Sequence, residues 1–174
     1  KRDGIYYWYK IKTNSKIISK KQNNDESLKY LKKNFDKIKN PSVKILFDMA
    51  NIYKRFKKYD EAIKLYSEVM QSVEKDLSIY ADLLYKRGGS YERLGNYGKS
   101  DIDLLAALKI LPDNSYILNY LAYSWLERKY KIPEAIEMLE LAYKQNEDDP
   151  YIIDSVGWGY YLTEKFEEAE IFMR

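Results

Sequence analysis

Few residues in this chain could do covalent chemistry, and their types limit what that chemistry would be. The 174 residues include no Cys and no His. That excludes disulfides, thiolate nucleophiles, Cys/His zinc sites and any base built on imidazole. Carboxylates, Lys, Tyr and Ser remain. The pair Asp101/Asp103 and the group Glu167/Glu168/Glu170 could suggest general acid–base work. Residues two apart on a helix do not face each other, however. The Glu group falls in a first turn, where acids offset the positive end of the helix dipole. No catalytic residue, metal ligand or cofactor is therefore assigned, and the reading is of a protein that is not an enzyme. Gly157-Trp158-Gly159 has the G-x-G form of a phosphate-cradling turn. A P-loop needs G-x-x-x-x-G-K-[ST], and a dinucleotide site needs G-x-G-x-x-G after a strand. Neither occurs in the sequence.

The aromatics point to recognition instead. There are 19 Tyr, 3 Trp and 5 Phe, and Tyr, Trp and Arg are enriched at binding hot spots. A hydrophobic share of 45% beside 33% charged residues fits a soluble folded chain. No run approaches the roughly 20 apolar residues of a membrane span. The chain opens at Lys1 without Met, so the native N-terminus, with any targeting segment, is expected to lie outside it. Cytoplasm and periplasm both stay open. Residues 1–58 hold 17 Lys/Arg against 5 Asp/Glu, a net of +12; residues 59–174 hold 13 against 22, a net of −9. A basic end of this kind can touch an anionic partner, or simply be a solvated face.

The elements that must position these side chains follow from a repeat. Leu46-x2-Met49-Ala50-x2-Tyr53 precedes Ala62, and Leu84-x2-Arg87-Gly88-x2-Tyr91 precedes Ser100. Leu118-x2-Leu121-Ala122-x2-Trp125 precedes Ala135, and Ile153-x2-Val156-Gly157-x2-Tyr160 precedes Ala169. A fainter copy has Ile11 and Ile18 before Ser27. The anchors at Ser27, Ala62, Ser100, Ala135 and Ala169 are spaced by 35, 38, 35 and 34 residues. The spacing of 38 implies one extra helical turn near 73–80. Spacings of i, i+3, i+4 and i+7 predict helices near 5–20, 25–39, 43–57, 60–73, 77–94, 98–110, 115–129, 133–145, 150–163 and 166–174. Gly88 and Gly157 occupy the small repeat position, where a paired helix packs close. Arg87 replaces an apolar residue and predicts a less buried site. Gly89 costs about 1 kcal/mol in a helix and predicts close approach by a ligand. Gly159 falls on a variable position and predicts only a weak spot.

This pattern resembles the tetratricopeptide repeat (TPR), W-x2-L-G-x2-Y…A-x3-F…P with a period near 34. The stretches NYLAYSWLER and DDPYIIDSVGWGYY further resemble a group of bacterial TPR proteins in which NYLGYSW and DSLGW segments recur, some with export signals. The resemblance implies an all-α fold, a right-handed α-solenoid of antiparallel helix pairs with about four to five repeats. It implies one domain over 1–174: a degenerate repeat at 5–40, repeats at 43–76, 77–114 and 115–149, and an incomplete one at 150–174. It also implies a fragment of a longer solenoid without its terminal cap.

In the family the first helix of each pair lines a concave groove. Carried over by position, the groove residues are Phe47, Asn51 and Arg55; Tyr85, Lys86, Gly89 and Arg93; Asn119, Tyr120 and Tyr123; and Asp154, Trp158 and Tyr161. The family's carboxylate clamp is not expected. Asn51 fits it, but Phe47, Lys86 and Tyr120 stand where it needs Lys, Asn and Arg. The implied function is a scaffold that binds a protein or peptide segment in the groove. A second reading is a helical-repeat nucleic-acid-binding module using the basic N-terminal part, which the net of −9 elsewhere opposes. A third is self-association through the exposed terminal repeat.

Overall fold

A computed structural model describes residues 2–21, 23–75 and 77–173. They form helices α1 (Arg2–Lys21), α2 (Asn24–Phe35), α3 (Val43–Arg55), α4 (Tyr59–Met70), α5 (Ser78–Arg93), α6 (Tyr97–Ile110), α7 (Ser115–Glu127), α8 (Ile132–Gln145), α9 (Pro150–Leu162) and α10 (Phe166–Met173). No strand occurs among the described residues. Four of the helices, α2, α6, α7 and α9, begin where a short polar side chain accepts the orphan N–H groups of the first turn. Asn23 accepts from Glu26 N–H, Asn96 from Lys99 N–H, Asn114 from Ile117 N–H, and Asp149 from Tyr151 and Ile152 N–H. Pro133 and Pro150 sit in the first turns of α8 and α9, where a missing N–H costs nothing.

The first helices α3, α5, α7 and α9 end in one shared way. The N–H groups of Lys58, Asn96, Tyr130 and Lys165 donate to the carbonyls of Tyr53, Tyr91, Trp125 and Tyr160 at 2.9, 2.9, 2.9 and 3.0 Å. Each closure puts the residue before the donor in the left-handed region: Lys57 at φ 58°, Gly95 at 72°, Lys129 at 52° and Glu164 at 61°. This is the Schellman closure, and it reverses the chain after each repeat's aromatic residue.

α5 has 16 residues where α3, α7 and α9 have 13. The additional turn, Ser78–Tyr80, is the insertion expected from the long spacing. α4 stops at Met70 rather than 73, and α2 stops at Phe35 rather than 39. Beyond α2, Asn40 takes a φ of 51° immediately before Pro41, a residue that disfavours helix in its predecessor. The expected end of α10 at 174 lies outside the described residues.

The helices divide into two compact units, Lys1–Val73 and Glu74–Arg174. In the first, α1 pairs with α2 and α3 with α4. The Ser27 hydroxyl donates to the Ser15 carbonyl at 3.0 Å, and both residues are buried, so the faint copy is a real helix pair. Trp8 is buried, and its indole N–H donates to the Asp48 carboxylate at 3.1 Å, tying α1 to α3. In the second unit α5–α6, α7–α8 and α9–α10 pair. The anchors Ala62, Ser100, Ala135 and Ala169 are all buried. Of the core aromatics, Tyr53 and Trp125 are buried, while Tyr91 and Tyr160 are only half-buried.

Gly88 and Gly157 do what their position predicts. A Cβ on Gly88 would meet Leu104 Cγ at 3.0 Å, and one on Gly157 would meet Met173 Cγ at 3.1 Å and Phe172 Cβ at 3.2 Å. Gly159 corrects the expectation of a mere weak spot. Its Cβ would meet Leu126, Leu139 and Ile136 at 3.3–3.5 Å, so α7 and α8 pack close to it. Arg87 is half-buried, as its departure from the repeat predicts, and forms a two-pronged pair with the buried Asp103 carboxylate at 2.7 Å on both oxygens. Asp101 faces another way. It accepts from Trp125 Nε1 at 3.0 Å and from Arg128 at 2.8 and 3.3 Å. The two carboxylates thus hold α6 to α5 and to α7, respectively.

Candidate interaction face

The first helices α5, α7 and α9 of the second unit carry most of the residues expected to line a binding surface, and side-chain contacts connect them. Tyr85 on α5 meets Tyr120 on α7 edge to face, 5.6 Å between centroids. The Tyr120 hydroxyl donates to Glu92 Oε2 at 3.1 Å, and exposed Arg93 lies 3.4 Å from that same oxygen. Burial first, and Glu92 second, hold the Tyr120 hydroxyl well above the ordinary tyrosine range. Tyr123, exposed on α7, is raised by burial and then by the carboxylates of Glu127 and of Asp154 on α9. Trp158 reaches back from α9, its indole N–H donating to Glu127 Oε1 at 3.1 Å. Its ring stacks on exposed Tyr161 at 5.6 Å and 17°, and Tyr161 meets exposed Phe166 edge-on at 5.7 Å. The glycines explain why Trp158 is free to do this. Gly157 packs on α10 and Gly159 on α7 and α8, so the residue between them stands on a remaining side of the helix.

Other expected residues have different places. Lys86 is half-buried and pairs with Asp82, one turn earlier, at 2.9 Å. Gly89 is buried on α5. Asn119 is half-buried, with its Oδ1 buried and without a hydrogen-bond partner among the described residues. Phe47, Asn51 and Arg55 belong to the first unit. There Phe47 meets Tyr66 edge-on at 6.3 Å, Asn51 accepts the Tyr66 hydroxyl at 2.8 Å, and Arg55 is exposed beside Lys12, Lys16 and Asp48.

Glu92, Glu127, Tyr97 and Phe166 are additions that the repeat positions did not single out. Glu92, Tyr97 and Glu127 line a cavity of about 460 Å³ with Arg93, Tyr120, Tyr123, Ser124 and Arg128. One signal was present in the sequence: Glu-Arg recurs at the end of two first helices, in YERL and in WLERK. Such a pair reads as solvated charge until neighbouring helices show what it accepts. No group of His, Cys, Asp or Glu able to hold a metal occurs among the described residues, and none of their helices is long and apolar enough to cross a membrane.

Comparison with known proteins agrees with the repeat. The family model described as Tetratricopeptide repeat matches residues 43–72 and 81–114. A TPR repeat-containing protein of Pseudomonas aeruginosa is 35% identical over 107 residues, 60% of this chain; the chain spans 18% of that relative's length. Among solved structures, MamA from residue 41 onward, of Desulfovibrio magneticus RS-1, aligns with a TM-score of 0.70 at 15% identity, covering 96% of this chain and 91% of that one. A putative kinesin light chain with TPR-like repeats from Podosopora anserina aligns with a TM-score of 0.71 at 12% identity, covering 95% and 90%. Likeness at such identities is a likeness of fold. With the helix pairs, their buried small anchors, the matched repeats and the named relative in agreement, residues 43–72 and 81–114 are tetratricopeptide repeats, and the chain has the helix-pair fold of a TPR solenoid.

Proposed function

We propose that the chain is a protein-interaction scaffold that takes a segment of a partner protein on the α5–α7–α9 face of its second unit. The TPR fold supports protein partners in general. The observation that carries the finer reading is the run of aromatic rings across three successive first helices: Tyr85 and Tyr120, then Tyr123, then Trp158 with Tyr161. Tyr123 and Tyr161 are 41% and 49% exposed, so a partner can bury them. Fully burying an aromatic side chain is worth about 1.5–3 kcal/mol, and rigid rings lose little entropy when ordered. Carboxylate acceptors between the rings offer hydrogen bonds to a partner's N–H groups.

The test is capture of peptides or proteins by the chain and by its Trp158→Ala and Tyr123→Ala variants. Each variant is expected to weaken capture about tenfold or more, the size of one hot spot, with helical circular dichroism and thermal midpoint unchanged. Capture untouched in both variants sinks the assignment of this face.

A further inference from the structure

We propose that the cavity between the last turns of α5 and α7 receives an arginine side chain of the bound segment; this rests on the α5–α7–α9 face being the docking surface. The cavity, about 460 Å³, has Glu92 on one element and Glu127 on the other. A carboxylate can accept about four hydrogen bonds. Glu92 accepts from Tyr120 and pairs with Arg93, and Glu127 accepts from Trp158. Both therefore keep acceptor capacity while being fixed in direction by the donors they already hold.

A second observation is independent of the acids. Ser124 lines the same cavity and is 5% exposed, and its Oγ is buried without a hydrogen-bond partner among the described residues. A buried hydroxyl left unpaired keeps its desolvation cost, which a donor entering the cavity would offset.

The charges decide the sign of the ligand. Arg128 in the wall is held by both oxygens of Asp101 and lies over the Tyr97 ring at 4.7 Å. Arg93 is matched by Glu92. The Glu127 carboxylate accepts from the neutral Trp158 indole, and Asp154 adds a second negative charge beside Tyr123. An entering cation would complete the balance, and the rings of Tyr120 and Tyr123 add cation–π attraction. A guanidinium fits better than an ammonium. Its planar fork of five N–H donors can span a carboxylate and a hydroxyl at once, where Lys offers a compact point charge.

A random linear peptide library selected on the full chain tests this. Selected peptides are expected to share an arginine at a fixed place. Replacing that arginine with citrulline, which keeps the shape and removes the charge, is expected to weaken binding about tenfold or more. The Glu92→Gln/Glu127→Gln variant should lose a similar factor and no longer distinguish the two peptides, with helical content retained. Equal binding of the arginine and citrulline peptides to the parent chain overturns the proposal, as does selection of peptides without arginine. If such neutral peptides still need Trp158 and Tyr123, the docking face stands and the arginine site alone falls. If no selected peptide depends on Trp158 or Tyr123, or none is selected, both fall.

Discussion

Arg87 shows how one residue can break the repeat's rule and still be accommodated. It occupies the place of Met49, Leu121 and Val156 in the other copies, and its cost is met by the 4%-exposed Asp103. Removing one partner of a buried pair strands the other charge, so Asp103→Ala is expected to lower unfolding free energy by about 3 kcal/mol in urea titrations. Replacing both partners, as Arg87→Leu/Asp103→Leu, should recover most of that loss, because a well-packed apolar pair needs no desolvation. Tyr160 makes a pH-dependent contribution. Burial, followed by its 2.8 Å hydrogen bond to Glu140, pushes its pKa from 10.0 to about 12. The folded state therefore keeps a proton that the unfolded chain releases, which favours folding fully below pH 10 and is lost as pH rises to about 12. Urea midpoints of the parent should fall over that interval, and those of Tyr160→Phe should fall less steeply. Sequence alone identified Arg87 as the odd member. It could not identify Asp103 as the answer, because Asp101 and Asp103 face different helices and only helix packing says which is which.

Among the elements, α9 is held through its two glycines, and these should respond differently to a methyl group. On Gly157 the methyl meets Phe172 Cβ at 3.2 Å, an atom fixed to the α10 backbone. On Gly159 it meets Leu126 and Leu139 Cδ1 atoms, tips of flexible side chains, at 3.3 and 3.4 Å. Overpacking costs about 1–3 kcal/mol, against a gain of about 1 kcal/mol for Ala over Gly in a helix. Gly157→Ala is thus expected to lower the thermal midpoint by several degrees, and Gly159→Ala to leave it nearly unchanged or raise it. The helix pairs were legible in the sequence because small residues recur about 12 apart within each pair, as Gly88 to Ser100 and Gly157 to Ala169 do. The turns were not. Gly95 announces a left-handed residue, but Lys57, Lys129 and Glu164 adopt the same conformation with no local sign. There the aromatic residue's carbonyl and the packing of the next helix impose what the side chain disfavours, about 1–2 kcal/mol each. Glu92 and Glu127 stayed hidden for a related reason: their meaning lies in the donors that other helices supply.

Across the whole molecule, charge and division coincide. The unit Lys1–Val73 has 18 Lys/Arg against 8 Asp/Glu, a net of +10, and the unit Glu74–Arg174 has 12 against 19, a net of −7. The acidic balance belongs to the unit that carries the aromatic face, which accords with basic partner segments and explains why that face is a poor place for phosphate. Throughout the chain the three tryptophans share one device, an indole N–H given to a carboxylate of another helix: Asp48, Asp101 and Glu127. They differ in access. Trp8 and Trp125 are 1% and 3% exposed, whereas Trp158 is half-exposed on the candidate face. The molecule therefore contains its own optical reporter. Acrylamide should quench the emission of one indole in three, a peptide on the face should shield it, and Trp158→Phe should abolish the quenchable fraction; a peptide that binds without changing this signal has docked somewhere else.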